Sequence, residues 1–128
     1  CVNMYSFEKD YEYDAEKLFG IIMKKMKENG FVTLSYIDLK QILENNFQEK
    51  FKTYYIMNVC KPQAAKELIA ENESMGLFLP CKITIYKTDK GAHVSLLRVS
   101  SLAEQYLKIK SGAVKYENEM IEVLENLF

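Results

Sequence analysis

Arginine is almost missing from this chain. Of its seventeen basic residues only Arg98 is Arg, the rest are Lys, and the net charge is −1. Proteins that read nucleic acid concentrate basic charge and use Arg for bidentate contacts, so no nucleic acid partner is expected. Histidine occurs once, at His93, and cysteine three times. Two internal Cys and one His fall short of the four ligands of a structural zinc site, and three Cys make no disulfide framework. No metal and no cofactor are therefore expected, and a reducing, cytoplasmic setting is the default. No apolar run exceeds Leu18–Met23, far below a membrane span. A glycine-rich phosphate loop, a G-x-S-x-G elbow and a C-x-x-C pair are all missing, which removes the common sequence signals of nucleotide, serine and thioredoxin-like chemistry. Cys1 stands where an initiator Met is expected; a processed chain, lipid-anchored or exported, is one reading, and an ordinary chain boundary is the plainer one.

What is present reads as one α+β domain over residues 1–128. Hydrophobic residues make up 48% and charged residues 27%, enough to bury a core. "VNMYSFE" (2–8) alternates and predicts a first strand. Asp14 is an N-cap for a helix in which Ala15, Leu18, Phe19, Ile22 and Met26 share one face, closed by Gly30. Residues 31–37 predict a strand, and Asp38 caps a short helix with Leu39, Ile42, Leu43 and Phe47 inward. "FKTYYIMNV" (51–59) is the strongest strand signal. Pro62 suits the first position of a helix carrying Ala65, Leu68 and Ile69 on one face, and 72–80 is a turn and entry loop.

Residues 81–87 and 92–99 flank "TDKG" and predict a hairpin. Pairing Lys87 with Ala92 sets Ile85 opposite Val94 and Ile83 opposite Leu96. That register gives one apolar face and turns Tyr86 and His93 to the other. Ser101 and Glu104 form a capping-box pattern for a short helix. A last helix over 113–127 puts Val114, Tyr116, Met120, Ile121, Val123, Leu124 and Leu127 on a broad apolar side. The "ENE" runs at 71–73 and 117–119 read as solvated faces. The order β-α-β-(short α)-β-α-β-β-α-α with short connections predicts a single antiparallel sheet of about five strands, with helices packed on one face.

Two cysteines sit beside prolines at strand edges, in "VCKP" (59–62) and "FLPC" (78–81). Cys60 lies next to a helix N-terminus, which favours thiolate; its plainer reading is a small apolar residue in a strand–helix corner. Cys81 shares a strand face with Ile83 and Ile85 and reads as core. If strands 51–59 and 81–87 run antiparallel, both thiols fall at the same end of the sheet. Tyr54, Tyr55 and Tyr86 are half-buried strand positions that could also line a pocket. His93 points away from the Cys81 face, so a Cys–His pair is not expected.

The stretch "VCKPQAAKELI…GLFLPCKITIY" resembles the family catalogued as domain of unknown function 302. The carrying residues are Cys60, Pro62, Ala64, Ala65, Leu79, Pro80, Cys81, Ile83, Ile85 and Tyr86, preceded by Gly30, Phe31, Ile37 and Asp38. The resemblance covers most of residues 4–99, with a helical tail at 100–128. It implies a TATA-binding-protein-like α+β fold (β-α-β(4)-α-like) and a homodimer, and it implies no activity.

Together these point to a homodimeric module that binds a small ligand or a protein partner, without a conventional catalytic site. The ligand-binding candidates are Cys60, Lys61, Pro62, Pro80, Cys81 and Tyr86. The alternative is a thiol-dependent redox or sulfur-handling protein, with Cys60 as the reactive thiol and Cys81 as the resolving one. A structural assembly subunit with both thiols inert is a third reading. The apolar width of the final helix adds to the expectation of a dimer.

Overall fold

The computed structural model describes residues 2–128; Cys1, on which the anchor expectation rests, lies outside the described residues. Alternation builds five strands: β1 (Ser6–Tyr11), β2 (Val32–Asp38), β3 (Tyr54–Cys60), β4 (Cys81–Thr88) and β5 (Gly91–Leu97). They form one antiparallel sheet in the order β1-β5-β4-β3-β2. The first strand starts later than its sequence pattern, at Ser6, because residues 2–5 contribute only an isolated bridge from Val2 to Phe7.

The helices are α1 (Ala15–Glu28), α2 (Leu39–Phe47), α3 (Pro62–Glu71), α4 (Val99–Leu102) and α5 (Ala113–Glu125). The Asp14 side chain accepts from Lys17 N and starts α1, and Asp38 does the same for α2 through Gln41 N. Leu18, Ile22 and Met26 of α1 are fully buried against Met57, Val59, Ile83, Ile85, Val94 and Leu96 from the sheet. Tyr116, Met120 and Leu124 of α5 complete the same core. The hairpin has the expected register, with Lys87 opposite Ala92 and Tyr86 opposite His93. Gly91 sits at φ +154, and a Cβ there would stand 2.2 Å from the Tyr11 carbonyl oxygen.

Three local expectations fail for identifiable reasons. The apolar stripe of α2 is not inward: none of its residues is buried, and Ile42 and Phe47 are exposed at 46% and 61%. Ser101 and Glu104 form no capping box; α4 is a single turn starting after Arg98 without a side-chain cap, and residues 103–107 widen into a π-type turn. The final helix spends most of its apolar side inside the chain, since Tyr116, Met120, Leu124 and Leu127 are buried, while Val114 is exposed. Its width is thus accounted for without a second copy.

At the far edge β1 pairs with β5, and His93 links them. Its Nδ1 lies 2.7 Å from Asp10 Oδ1 and its Nε2 2.7 Å from Glu8 Oε1, an arrangement fully satisfied only when both ring nitrogens donate. Burial works against the charged ring, but the two carboxylates outweigh it and raise the His93 pKa. Tyr86 stacks between Tyr54 and His93 on this outer face, with Lys52 Nζ 4.5 Å from its ring centre. No helix among the described residues is long and apolar enough to cross a membrane.

Candidate functional site

Strand β3 runs out at Cys60, and Lys61, extended at φ −106 and ψ 112, turns the chain into α3 with Pro62 at its first turn. Pro62 has no N–H to lose there and a preset φ, which fixes the helix start. On the neighbouring strand the chain arrives through a cis Leu79–Pro80 peptide and enters β4 at Cys81. Val59 and Cys81 are directly opposed across the antiparallel pair, so Cys60 lies one residue from Cys81's partner. Both thiols are free and half-buried, at one end of the sheet.

They share a cavity. Cys60, Lys61, Pro80 and Cys81 line it together with Phe31, Ala64, Leu68 and Leu79, and α5 closes it with Tyr116, Glu117 and Met120. Its volume is about 20 Å³, roughly the space of one water-sized probe. Pro62 positions α3 but does not line the cavity. Tyr86 is elsewhere: it lies five residues along β4 on the outer face, with His93, and does not join the cysteines.

The thiols are the reverse of activated. Burial raises the Cys60 pKa, and the Cys81 thiol is pushed up to about 12 by burial first, then by the nearby Glu117 carboxylate and Cys60. The expected help from the α3 N-terminus does not prevail, because Cys60 is still a strand residue, two positions before the first helical one, and its side chain is taken out of water.

Glu117 lines the cavity too, and the sequence pattern concealed it. It is 2% exposed, inside what reads as a solvated "ENE" run. Its side chain accepts from Ser100 N and, at 2.6 Å, from Ser100 Oγ, and Arg98 Nε lies 4.0 Å away. It thereby supplies the acceptor that α4 lacks from a local cap. Burial raises its pKa, opposed by the two Ser100 bonds and Arg98. One signal could have found it: position 117 shares the helical stripe of Ala113, Met120 and Leu124. Lys61 is held across the mouth, with Nζ 2.9 Å from Glu119 Oε2 and 4.8 Å from the Phe31 ring centre. Among the described residues no group of three His, Cys, Asp or Glu side chains is placed to hold a metal ion. The arrangement offers a small apolar recess with two neutral thiols and one anchored carboxyl group.

The family model described as "Domain of unknown function DUF302" matches residues 7–127, so the match runs through the helical tail as well as the core. The crystal structure of an uncharacterized conserved protein DUF302 from Bacillus stearothermophilus is similar in fold, with a TM-score of 0.88 at 21% identity, over 98% of this chain and 100% of that one. No curated protein matches the chain.

Proposed function

Because the chain belongs to the DUF302 family, whose description supplies no activity, we propose from its own residues that it is a homodimeric binding module. Its ligand or partner engages the sheet end formed by Cys60, Lys61, Pro80 and Cys81, and it carries no conventional catalytic site. One observation carries this reading: an apolar cavity that Pro80 borders and α5 closes brings Cys60, Cys81 and Glu117 together. Thiols kept neutral by burial suit packing against a ligand better than attack on one. Anything larger than a water must displace the rim at Leu79–Pro80 or the Lys61 side chain to enter. A reducing, cytoplasmic setting fits a chain of three cysteines, and nucleic acid is no part of the proposal, given a net charge of −1 and one Arg.

Native mass spectrometry of freshly purified protein, beside an Ala64→Phe variant that fills the cavity, tests this. A small adduct carried by the wild type and lost from the folded variant supports it. No adduct on the wild type, or one that survives the substitution, overturns it. The second reading is a thiol-dependent redox or sulfur-handling protein that uses Cys60 and Cys81. Their adjacency across β3 and β4 favours it, and the burial that keeps both protonated opposes it.

A further inference from the structure

Sulfur is concentrated at one place in the core. Cys60 and Cys81 line the small cavity at the end of β3 and β4, and α5 adds a third sulfur, that of Met120. Met120 follows Glu117 by three residues, so the two share the face of α5 that closes the recess. It is 1% exposed and belongs to the main core, against which Cys81 also packs. No three His, Cys, Asp or Glu side chains among the described residues converge on a metal position, but a thioether stands outside that donor set. Much of the remaining wall is hydrocarbon, from Ala64, Leu68 and Val99.

Size and chemistry together narrow what this recess can take. Its volume of about 20 Å³ leaves room for one small particle, and not for an organic molecule while the rim stays in place. Water matches it poorly. A buried water takes about two to four polar partners, thiols and thioethers are weak ones, and both Glu117 oxygens already accept from Ser100. Hard divalent ions match it no better, since they ask for oxygen ligands, and zinc asks for four ligands. Sulfur donors suit a soft ion that is content with few of them. We propose that Cys60, Cys81 and Met120 hold a single soft monovalent cation of the cuprous class. The proposal rests on the reading of this sheet end as a binding site and names its ligand. Each thiol that binds exchanges its S–H bond for a bond from sulfur to the metal and sends the proton to solvent; no electron is transferred. The first exchange leaves the charge of the recess unchanged, one cation for one proton, and Met120 adds a lone pair with no proton to lose. Lys61, the cation at the mouth, is paired with Glu119, which offsets its repulsion of an entering ion.

Competition for Cu(I) against bicinchoninate, under anaerobic and reducing conditions, tests this on a parent protein carrying Cys1→Ser, so that only the thiols of Cys60 and Cys81 remain. The expected result is one Cu(I) retained per chain and not displaced by equimolar Zn(II). Retention should be lost in Cys60→Ala and Cys81→Ala, and weakened at least about tenfold in Met120→Leu. Met120→Leu conserves side-chain volume and so keeps the fold. Met75→Leu, at a methionine as deeply buried but outside the cavity, should bind as the parent does. Circular dichroism confirms that each variant is folded. No Cu(I) retained by the parent, displacement by zinc, or binding that Met120→Leu leaves unchanged overturns the three-sulfur site. In that event an adduct of another kind, lost from Ala64→Phe in native mass spectrometry, leaves the binding module standing, and the absence of any adduct removes the module as well.

Discussion

Replacing Glu117 separates its two roles, as acceptor for α4 and as a charge taken out of water. In Glu117→Ala the Ser100 N–H is left buried without its acceptor, the Ser100 hydroxyl loses a 2.6 Å bond, and Arg98 loses its carboxylate neighbour. Bonds to a charged group contribute about 1.5–3 kcal/mol each, partly offset because a buried charge is removed as well. A net loss of about 2–4 kcal/mol follows, a drop of about 8–16 °C in Tm for a domain of this length. Glu117→Gln keeps an acceptor and removes the charge, so it should lie within about 1 kcal/mol of wild type at neutral pH. The pH dependence discriminates further. Burial raises the folded-state pKa of Glu117 above its ordinary 4.5. A raised pKa contributes stability that is fully present below the unfolded value and is lost as pH rises through the folded value. The stability of wild type relative to Glu117→Gln should therefore rise as pH falls from 8 toward about 4.5, where ordinary carboxyl groups titrate. Urea unfolding of the three proteins from pH 4.5 to 8 measures this. A Glu117→Ala variant as stable as wild type, or a difference that grows toward high pH, would refute the reasoning.

Other consequences are as concrete. In native protein at pH 7.5, iodoacetamide should modify Cys60 more slowly than a free thiol of ordinary pKa and leave Cys81 untouched until urea is added; rapid double labelling followed by mass spectrometry would favour the thiol-dependent reading. His93 has a raised pKa, so its contribution is complete below the ordinary imidazole value of 6.5 and fades as pH rises through the folded value. The stability difference between wild type and His93→Gln should shrink from pH 6 to 8, and an NMR titration of His93 should place its midpoint above 6.5. Gly91→Ala forces a Cβ against the Tyr11 carbonyl and should cost about 2–4 kcal/mol, whereas Gly20→Ala, with nothing within 4 Å of the added methyl, should stabilise α1 by about 0.5–1 kcal/mol. Thermal melts of the two variants report opposite signs.

The hairpin register was readable because only one alignment of residues 81–87 with 92–99 stacks Ile83, Ile85, Val94 and Leu96 on one side, and the buried strands have that alignment. The approach of Cys60 to Cys81 followed from the same logic applied one strand over. Periodicity does not say what a face meets. It marked the stripe of α2 as apolar, but whether this chain covers that stripe depends on where β2 falls in the sheet, and β2 falls at an edge. Local motifs were misleading where a distant residue had already met the need: Ser101 and Glu104 spell a capping box, yet Glu117 reaches in from α5 and caps the turn through Ser100. Glu117 was hidden by its charged neighbours, since burial of a lone carboxylate inside "ENE" is set by a bond made across seventeen residues. Tyr86 joined the candidates by residue type and by its place in the family-like strand motif, and strand alternation had already turned it to the other face.

The strand order has a further effect, on how the chain assembles. β2 through β5 follow one another in sequence and in space, so each pairs with the strand just before it, across α2, across α3 and across a tight turn in order. β1 is made first and seated last, because Ser6 must wait for Leu97. Closing so long a loop is slow relative to the local pairings. Until it closes, β5 (Gly91–Leu97) is itself an open border with no Asp, Glu, Lys or Arg along its length. Once seated, β1 covers that border with a charged strand, and its Tyr11 hydroxyl donates 2.5 Å to the Leu124 carbonyl, fastening α5 to the sheet. A chain shortened by its first eleven residues would thus lose more than a strand. It would present nascent β5 as a sticky rim and release the helix that closes the cavity, and inclusion bodies would be its expected fate.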